Sequence, residues 1–299
     1  MLRHQADWRT VAYLAFSVGL SIVQWHLPHV NPVLYGLCLF MGVATAVISH
    51  NHNHGNIWKW KPANVVTSWV ISIYYGFPCI AWVPTHNQVH HRLNNKPGDT
   101  SRSPKYFKKN HLLALLVYPT LTGIEQQVEI KAFFGTLWKR NKKAWAIAAS
   151  EYAVFFGFLA VMLFLDWRKA LLFFVIPQQF ALFTIQVFNY VQHVEADAHS
   201  EWNHSRNFVS PVLNALLFNN GYHTVHHLKP GVHWSQTPAL HAEHVSKIHP
   251  SLLVKSWWGW MFHTFFVRPF TGEAAPDLGS TASTPAAQPA PAMVAEAAE

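Results

Sequence analysis

The sequence predicts an all-α integral membrane protein built on two transmembrane helical hairpins, about four spans in all, with interfacial helices and a histidine-rich cytoplasmic cap. Charged residues make up only 12 % of the chain, about half of their share in a typical soluble protein. Hydrophobic residues reach 51 % and form several long uncharged runs. The Lys and Arg residues behind the net charge of +8 flank these runs, which favours a membrane surface rather than nucleic acid as their partner.

The first predicted hairpin consists of two apolar runs near the N-terminus. Residues 10–27 and 33–49 contain no Asp, Glu, Lys or Arg, and the Pro- and Asn-containing stretch between them is a tight turn. A span needs roughly 20 residues, and polar helix ends extend both runs toward that length. We therefore expect the second helix to continue past the membrane into residues 50–54 on the cytoplasmic side.

A third apolar run, residues 63–83, is interrupted by Gly76-Phe77-Pro78. Its length permits a span. Its Gly, Pro, Trp and Tyr content instead favours a broken helix that lies at the membrane interface or dips into it. If this run does not cross the membrane, residues 50–54 and 86–91 are on the same side.

Residues 144–165 and 170–191 form the second predicted hairpin, joined by a short turn from Asp166 to Lys169. Pro177 is expected to kink its second helix. The hairpin returns the chain to the side where basic residues are concentrated, and the positive-inside rule identifies that side as cytoplasmic.

The segments outside the hairpins complete the predicted organisation. Residues 111–138 and the aromatic stretch 251–270 are expected to form interfacial helices. Residues 1–270 therefore make up one membrane domain. Residues 271–299 are rich in Ala, Pro and Ser and are predicted to be a disordered tail.

Histidine clusters lie at the cytoplasmic ends of the apolar runs. They are His50-x3-His54, His86-x3-His90-His91, Asn189 with His193, and His223-x2-His226-His227. Residues four apart lie on one face of an α-helix, so His86 and His90 can aim at one point. The three histidines of the last cluster, at i, i+3 and i+4, also lie on one helical face. His91 is rotated by about 100° from His90, so this adjacent pair can address two different centres.

The number of imidazoles predicts the number of metal ions. Neutral imidazole is the commonest metal ligand in proteins. Nine imidazoles exceed the four ligands of a zinc site and the roughly six of an octahedral ion, so we expect two adjacent metal ions with room left for water. Nitrogen donors suit iron, but also zinc or copper. Cys38 and Cys79 lie in apolar surroundings without a Cys-x-x-Cys pattern, so no thiolate site is expected.

Polar residues beside the clusters have other predicted roles. His52 is two residues from His50 and points away from the face that His50 and His54 share. His199 and His204 are predicted either to orient ligand rings or to lie at the surface. Glu195 and Asp197 are candidate hydrogen-bond acceptors for ligand rings.

The order of the clusters resembles that of the membrane fatty acid desaturase superfamily, whose members include acyl desaturases, alkane and lipid hydroxylases and carotenoid ketolases. The resemblance covers roughly residues 10–250. It implies three histidine boxes, and one further His preceded by an Asn that holds a metal-bound water. The boxes are matched here by His50/His54, His86/His90/His91 and His223/His226/His227, and the further pair by Asn189 and His193.

Two features resemble the alkane hydroxylases in particular. The second box has three residues before its His-His doublet, where many acyl desaturases have two, and residues 189–193, Asn-Tyr-Val-Gln-His, are similar to their Asn-Tyr-x-Glu-His. The first box, His-Asn-His-Asn-His at 50–54, differs from their His-Glu-x-x-His-Lys. Both desaturation and hydroxylation therefore stay open.

The resemblance implies an enzyme with two iron ions, O2 as co-substrate and a lipid or fatty acyl substrate. The expected reaction introduces a double bond into a fatty acyl chain, and the alternative is hydroxylation of an alkane, a lipid or a carotenoid. Electrons are expected from an external ferredoxin- or cytochrome-b-type donor with its reductase, because nothing in the sequence resembles a fused haem domain. A more distant alternative is a divalent-metal transporter, in which the histidines would be expected inside a span.

Overall fold

The computed structural model describes residues 1–103, 105–107 and 109–278. Most of these residues are helical. The predicted disordered tail begins at residue 271, and its residues 279–299 lie outside the described part of the chain. Within the described part of the tail, residues 273–278 belong to no helix or strand.

The α-helices set the architecture and are named in chain order. They are α1 (Trp8–His26), α2 (Pro32–His54), α3 (Lys61–Tyr75), α4 (His91–Leu93), α5 (Leu112–Glu125), α6 (Gln127–Arg140), α7 (Lys142–Ala170), α8 (Ile176–His193), α9 (Pro211–Leu216), α10 (His223–Leu228), α11 (Thr237–His244), α12 (Trp257–Phe262) and α13 (Arg268–Thr271).

Short segments of other kinds connect these helices. The π-helices are Val83–His90, Leu171–Val175 and His263–Val267, and the 3₁₀-helices are Gln5–Asp7, Cys79–Ala81, Val245–Lys247 and Pro250–Leu252. Two short strands, β1 (Asn207–Phe208) and β2 (Leu253–Val254), pair in parallel.

The chain divides into two compact units. The first unit comprises Met1–Pro84 and Gln127–Ile185, which include the first predicted hairpin and most of the second. The second unit comprises Thr85–Gln126 and the described part of Gln186–Ala292, which contain most of the histidine clusters.

The first two helices of the first unit are antiparallel. Asn31 begins α2, because its side-chain oxygen accepts the backbone N–H groups of Val33 and Leu34. Across the turn, the Gln24 amide of α1 donates a hydrogen bond to the sulfur of Cys38 in α2 at 3.3 Å. Helix α2 then runs on to His54. The predicted extension of this helix through residues 50–54 is therefore confirmed.

The long helical segment from α7 to α8 reverses direction at Asp166. Asp166 has extended φ/ψ angles of −159° and 97°, and its carboxylate accepts the backbone N–H groups of Arg168 and Lys169. The rings of Phe158 and Phe174 are 4.9 Å apart, whereas sixteen residues of straight helix would separate them by about 24 Å. The chain must therefore fold back between them.

Both turns lie at the same end of the first unit. Lys169, which follows the Asp166 turn, donates a hydrogen bond from Nζ to the carbonyl oxygen of Trp25, at the end of α1. Since α2 leads away from its turn and α7 leads toward its own, His54 and Lys142 lie at the opposite end of this unit.

Helix α3 is interrupted where the sequence predicts a break. Gly76 ends it with φ of +93°, a left-handed conformation that favours glycine, and a Cβ at this position would lie 2.4 Å from Cβ of Gln178. Beyond the break, the Ser72 hydroxyl accepts the N–H of Cys79 at 2.9 Å, and the buried Glu151 carboxylate accepts the N–H of Ile80 at 2.7 Å. These side chains replace the helical hydrogen bonds that the break removes.

Two helical segments in the described chain are long and apolar enough to cross a membrane. They are Pro32–His54 and the 52-residue stretch Lys142–His193, inside which the chain turns at Asp166. Lys61–Tyr75 with Cys79–Leu93 would add a third as one broken span, since the two parts are bent by 90°. The described chain therefore contains two or three candidate membrane-spanning helical segments.

Candidate metal centre

Seven histidines of the second unit bring their ring nitrogens together. They come from the π-helix Val83–His90, the start of α4, the end of α8 and the helix α10. They are His86, His90, His91, His193, His223, His226 and His227. Most are buried; His90 and His193 are 0 % exposed. Residues as far as 141 positions apart in sequence, His86 and His227, thus meet in one place.

Four of these rings form one compact group, the four-histidine group. Its members are His90, His193, His223 and His227, whose ligand atoms lie within 4.8 Å of one another. The Nε2 atom of His193 is 3.1 Å from that of His90 and 2.9 Å from that of His223. The Nε2 atoms of His223 and His227 are 3.1 Å apart.

The other three rings form the three-histidine group, His86, His91 and His226. The Nε2 atom of His91 lies 3.0 Å from Nε2 of His86 and 3.0 Å from Nε2 of His226. The prediction that the adjacent residues His90 and His91 address different centres is therefore correct.

The expected pairing of His86 with His90 is wrong. His86 belongs with His91, five residues on, because residues Val83–His90 are a π-helix, whose hydrogen bonds link residue i to i+5 and widen the turn by one residue. The three histidines of the last cluster also divide between the two groups. In α10, His223 and His227 join the four-histidine group, whereas His226 joins the other.

Hydrogen bonds at the outer ring nitrogens test whether the four-histidine group suits a metal ion. His90 Nδ1 is 2.7 Å from the Asp99 carboxylate, and His193 Nδ1 is 3.2 Å from the carbonyl oxygen of His204. Both oxygens accept, so both Nδ1 atoms carry hydrogen, and in the neutral rings both Nε2 atoms carry lone pairs. These lone pairs face each other at 3.1 Å. A proton shared between two nitrogens removes the repulsion of one pair of facing lone pairs, whereas a metal cation at the centre would accept the lone pairs of all four rings.

Burial favours the neutral form of His227, because it lowers the pKa of this ring. Burial lowers the pKa of His227 well below its ordinary value, and the neighbouring His91 and His223 lower it further. Burial also lowers the pKa of His204, which lies beside the group, to about 4. Neutral imidazole is the form that binds metal, so the donor set fits a pair of divalent ions.

Asp99 is the ring-orienting carboxylate that the sequence analysis missed. Burial acts to raise the pKa of Asp99, but the adjacent His90 and the backbone N–H groups of Asn95 and Ser101 lower it to about 2. A carboxylate that accepts the second N–H of a ligand ring fixes its tautomer and orientation. Asp99 lies eight residues after the His-His doublet, in a loop with Asn, Pro and Gly, and nothing in that spacing marks it.

The two carboxylates predicted for this role do other things. Glu195 binds the guanidinium of Arg268 in a two-fold ion pair, with Nη1 to Oε2 at 2.9 Å. Asp197 accepts the backbone N–H of His199 at 2.9 Å and so closes a loop turn. Glu195 has φ of +58°, because the chain turns sharply after α8, and its side chain follows that turn toward Arg268. That part of the prediction is wrong.

Asn189 lies one turn before His193 in α8 and has a fixed amide. Its Nδ2 donates hydrogen bonds to the hydroxyl of Tyr118 at 2.6 Å and to the carbonyl oxygen of Ser101 at 3.3 Å. The Tyr118 hydroxyl in turn donates to Ser101 at 2.6 Å. Because the amide nitrogen is engaged, the side-chain oxygen is the group left to accept from a water.

His50 and His54 belong to the first unit. Their rings, on successive turns of α2, have centroids 4.8 Å apart, and the ring of His50 also packs against Trp82 at 5.3 Å. His52 is buried, and its ring nitrogens are in none of the ligand groups formed by the described residues. His199 is in none of these groups either.

Two groups of imidazoles, most of them buried, on a largely helical chain with long apolar helices are typical of a membrane protein whose histidines could hold metal ions. Residues 6–268 match the family model described as fatty acid desaturase, and the chain belongs to that family. No curated protein and no solved structure shows a significant match. Family membership implies an oxidoreductase of the desaturase or hydroxylase type that acts on lipid substrates.

Proposed function

We propose that this protein is an O2-dependent di-iron membrane oxidoreductase that introduces a double bond into a fatty acyl chain. The observation that carries the proposal is the pair of histidine groups, in which Nε2 atoms of buried and half-buried rings face one another at 2.9–3.1 Å. Membership of the fatty acid desaturase family supports the same reading.

The proposed ligands are the nine imidazoles of the predicted boxes. The four-histidine group would hold one ion. The three-histidine group would hold the other. Asn189 would hold a water through its side-chain oxygen, a role supported by the hydrogen bonds that fix its amide nitrogen.

When bound, two iron ions supply the activation of O2 and the removal of hydrogen from an unactivated C–H bond. The residues of the chain prepare for this in three ways. Burial keeps the ring of His227 neutral, so that its Nε2 lone pair is available. The Asp99 carboxylate holds the hydrogen of His90 on Nδ1. The enclosure of His90 and His193 excludes water from the oxidising centre.

We propose four spans arranged as two hairpins, with the histidines on the cytoplasmic side. The reversal at Asp166 and the Lys169–Trp25 hydrogen bond support two turns at one end of the first unit. Basic residues cluster just before and at the start of α7, at the opposite end from its turn; they are Lys139, Arg140, Lys142 and Lys143. By the positive-inside rule this end faces the cytoplasm.

Expression in a host whose lipids are fully known tests the reaction. Gas chromatography with mass spectrometry of the host lipids should show new double bonds that are lost in His227→Ala. An external donor of the ferredoxin or cytochrome-b type, with its reductase, must be supplied. Hydroxylated alkane, lipid or carotenoid products would instead favour the hydroxylase alternative. The spacing of the second box and that of Asn189 with His193 resemble the spacings found in alkane hydroxylases.

Iron content separates an enzyme from the transporter alternative. The purified enzyme should retain about two iron ions per chain through dialysis against a mild chelator. A carrier releases its cargo under the same conditions. Absence of both retained iron and oxidised lipid would contradict the proposed function.

A further inference from the structure

His204 is a buried histidine beside the four-histidine group that belongs to neither group. Its side chain lies in the loop after α8 and is 2 % exposed. Its Nδ1 is 2.9 Å from the carbonyl oxygen of Glu201, which can only accept, so Nδ1 carries the hydrogen. Its Nε2 therefore carries a lone pair, and this buried atom has no hydrogen-bond partner within the described chain.

His227 has the complementary feature, a buried hydrogen-bond donor without an acceptor. Its Nε2 faces His223 within the four-histidine group, so as a metal ligand this nitrogen would carry its lone pair toward the centre of the group. Its Nδ1 must then carry a hydrogen, and this buried donor also lacks a partner in the part of the chain described. A buried donor without an acceptor destabilises the fold, and the same holds for an acceptor without a donor.

The two rings are neighbours. Their centroids are 5.6 Å apart with an interplanar angle of 66°. Two imidazoles joined by a direct N–H···N bond of ordinary length have centroids about 5.3 Å apart, so the separation of these two rings is close to that of a hydrogen-bonded pair. The backbone of His204 already belongs to the site, since its carbonyl oxygen accepts the Nδ1 hydrogen of His193.

We infer that His204 is a positioning residue that accepts a hydrogen bond from the Nδ1–H of His227 and so fixes that ring as a metal ligand. This inference rests on the proposed function. The result is a chain of contacts: the Glu201 carbonyl accepts a hydrogen bond from His204, His204 accepts one from His227, and His227 would bind the ion. His204 thereby does for His227 what Asp99 does for His90 and the His204 carbonyl does for His193.

Its Nε2 is not counted as a ligand, because the ligand atoms that lie within 4.8 Å of one another are those of His90, His193, His223 and His227. Ligand and acceptor roles make different predictions. A lost ligand changes the number of nitrogens bound to the ion, whereas a lost acceptor leaves that number unchanged and weakens binding.

Iron(II) titration of the full-length protein in detergent under argon tests the inference, using three variants. His204→Gln keeps an acceptor oxygen near the position of Nε2, and His204→Phe keeps the flat shape without an acceptor. His241→Phe removes another buried histidine of the second unit that lies outside both groups. X-ray absorption spectra of each loaded protein count the bound nitrogens.

We expect His204→Phe to weaken the affinity for one of the two irons by about 10–100-fold, the usual cost of losing such a partner. His204→Gln should recover most of that loss, and His241→Phe should bind iron like the wild type. The number of bound nitrogens should stay constant throughout.

Several results would overturn the inference. Unchanged iron affinity in His204→Phe would do so, and so would a His204→Gln variant as weak as His204→Phe. A drop of one bound nitrogen in both variants would make His204 a ligand instead. If His204→Phe fails to fold, the rise in Tm that iron causes is compared between His204→Gln and the wild type. Because His204→Gln retains an acceptor, it should retain this rise, and loss of the rise would overturn the inference. If the wild type itself binds no iron, the proposed function fails, which is a distinct outcome.

Discussion

The two histidine triplets of the second unit divide their rings in the same way although their spacing differs. In α10, His223 and His227 are four residues apart and join one group, and His226 joins the other. In the π-helix and the residue after it, His86 and His91 are five residues apart and join one group, and His90 joins the other. Each triplet therefore contributes two rings to one group and one ring to the other.

The difference in spacing follows from the type of helix. An α-helix brings residues i and i+4 to one face, whereas the wider turn of a π-helix brings i and i+5 together. The additional residue between His86 and the doublet is absorbed by the π-turn. Spacing alone therefore does not state which histidines share a metal ion; the local hydrogen-bond pattern is also needed.

The largest expected loss of activity and iron follows from removing His227, one of the two rings of α10 that belong to the four-histidine group. His227→Ala should abolish activity and lower the iron content from two ions per chain to one or none, because a ligand is lost. His52→Ala, a buried histidine outside the groups, should keep most of both. Iron analysis and product chromatography measure the pair, and equal losses would contradict the assignment.

Changing the length of the second triplet tests the role of the π-turn. Deletion of the exposed Gln88 leaves two residues before the doublet, the spacing that α10 uses, and an α-helical turn then pairs the same two histidines. We expect this variant to retain two iron ions with reduced activity. Insertion of one Ala after Gln88 should lose iron from both groups. If the deletion is as damaging as the insertion, the π-turn has a role beyond accommodating one residue.

A smaller effect is expected at the residue that orients His90. Asp99→Asn should lower iron affinity by about 10–100-fold, because an amide no longer holds the Nδ1 hydrogen of His90 as a carboxylate does. Asp197→Asn is the matched control, since Asp197 only closes a loop turn. Iron titration compares the two, and equal affinities would show that the Asp99 contact does not tune the site.

The pKa of Asp99 gives this residue a pH signature. Because its folded-state pKa is lowered to about 2, its contribution to stability is present above about pH 4 and is lost as the pH falls toward 2. We expect the wild type to lose about 2 kcal/mol more than Asp99→Asn over this window. Thermal unfolding of the metal-free proteins in detergent between pH 5 and about 2 measures the difference; parallel curves would contradict it.

The smallest expected effect on the metal site comes from the break that precedes the π-helix. Gly76→Ala should destabilise the fold by about 2–4 kcal/mol, because φ is +93° and the new Cβ would lie 2.4 Å from Gln178. Gly157→Ala, with open space around the added Cβ, should be neutral or slightly stabilising. Thermal unfolding of both variants tests this, and similar Tm values would show that the break tolerates a side chain.

Much of this protein follows from local pattern. Uncharged runs of sufficient length, flanked by Lys and Arg, indicate membrane helices without reference to any distant residue, and the order of the histidine boxes points to the fatty acid desaturase family that residues 6–268 match. The break at Gly76 and the extension of α2 to His54 are also visible in the sequence, because Gly, Pro and polar helix ends act within a few residues.

The partition of the rings needed the folded chain. His91 and His226 are 135 residues apart, and only folding brings their nitrogens to 3.0 Å. The π-turn between His86 and His91 differs from an α-turn only in that its backbone hydrogen bonds link residues five apart and not four apart. The periodicity of the side chains does not encode this difference. The choice of Asp99 rather than Glu195 as partner of a ligand ring likewise depends on where two loops run, because a hydrogen bond requires proximity in space and not in sequence.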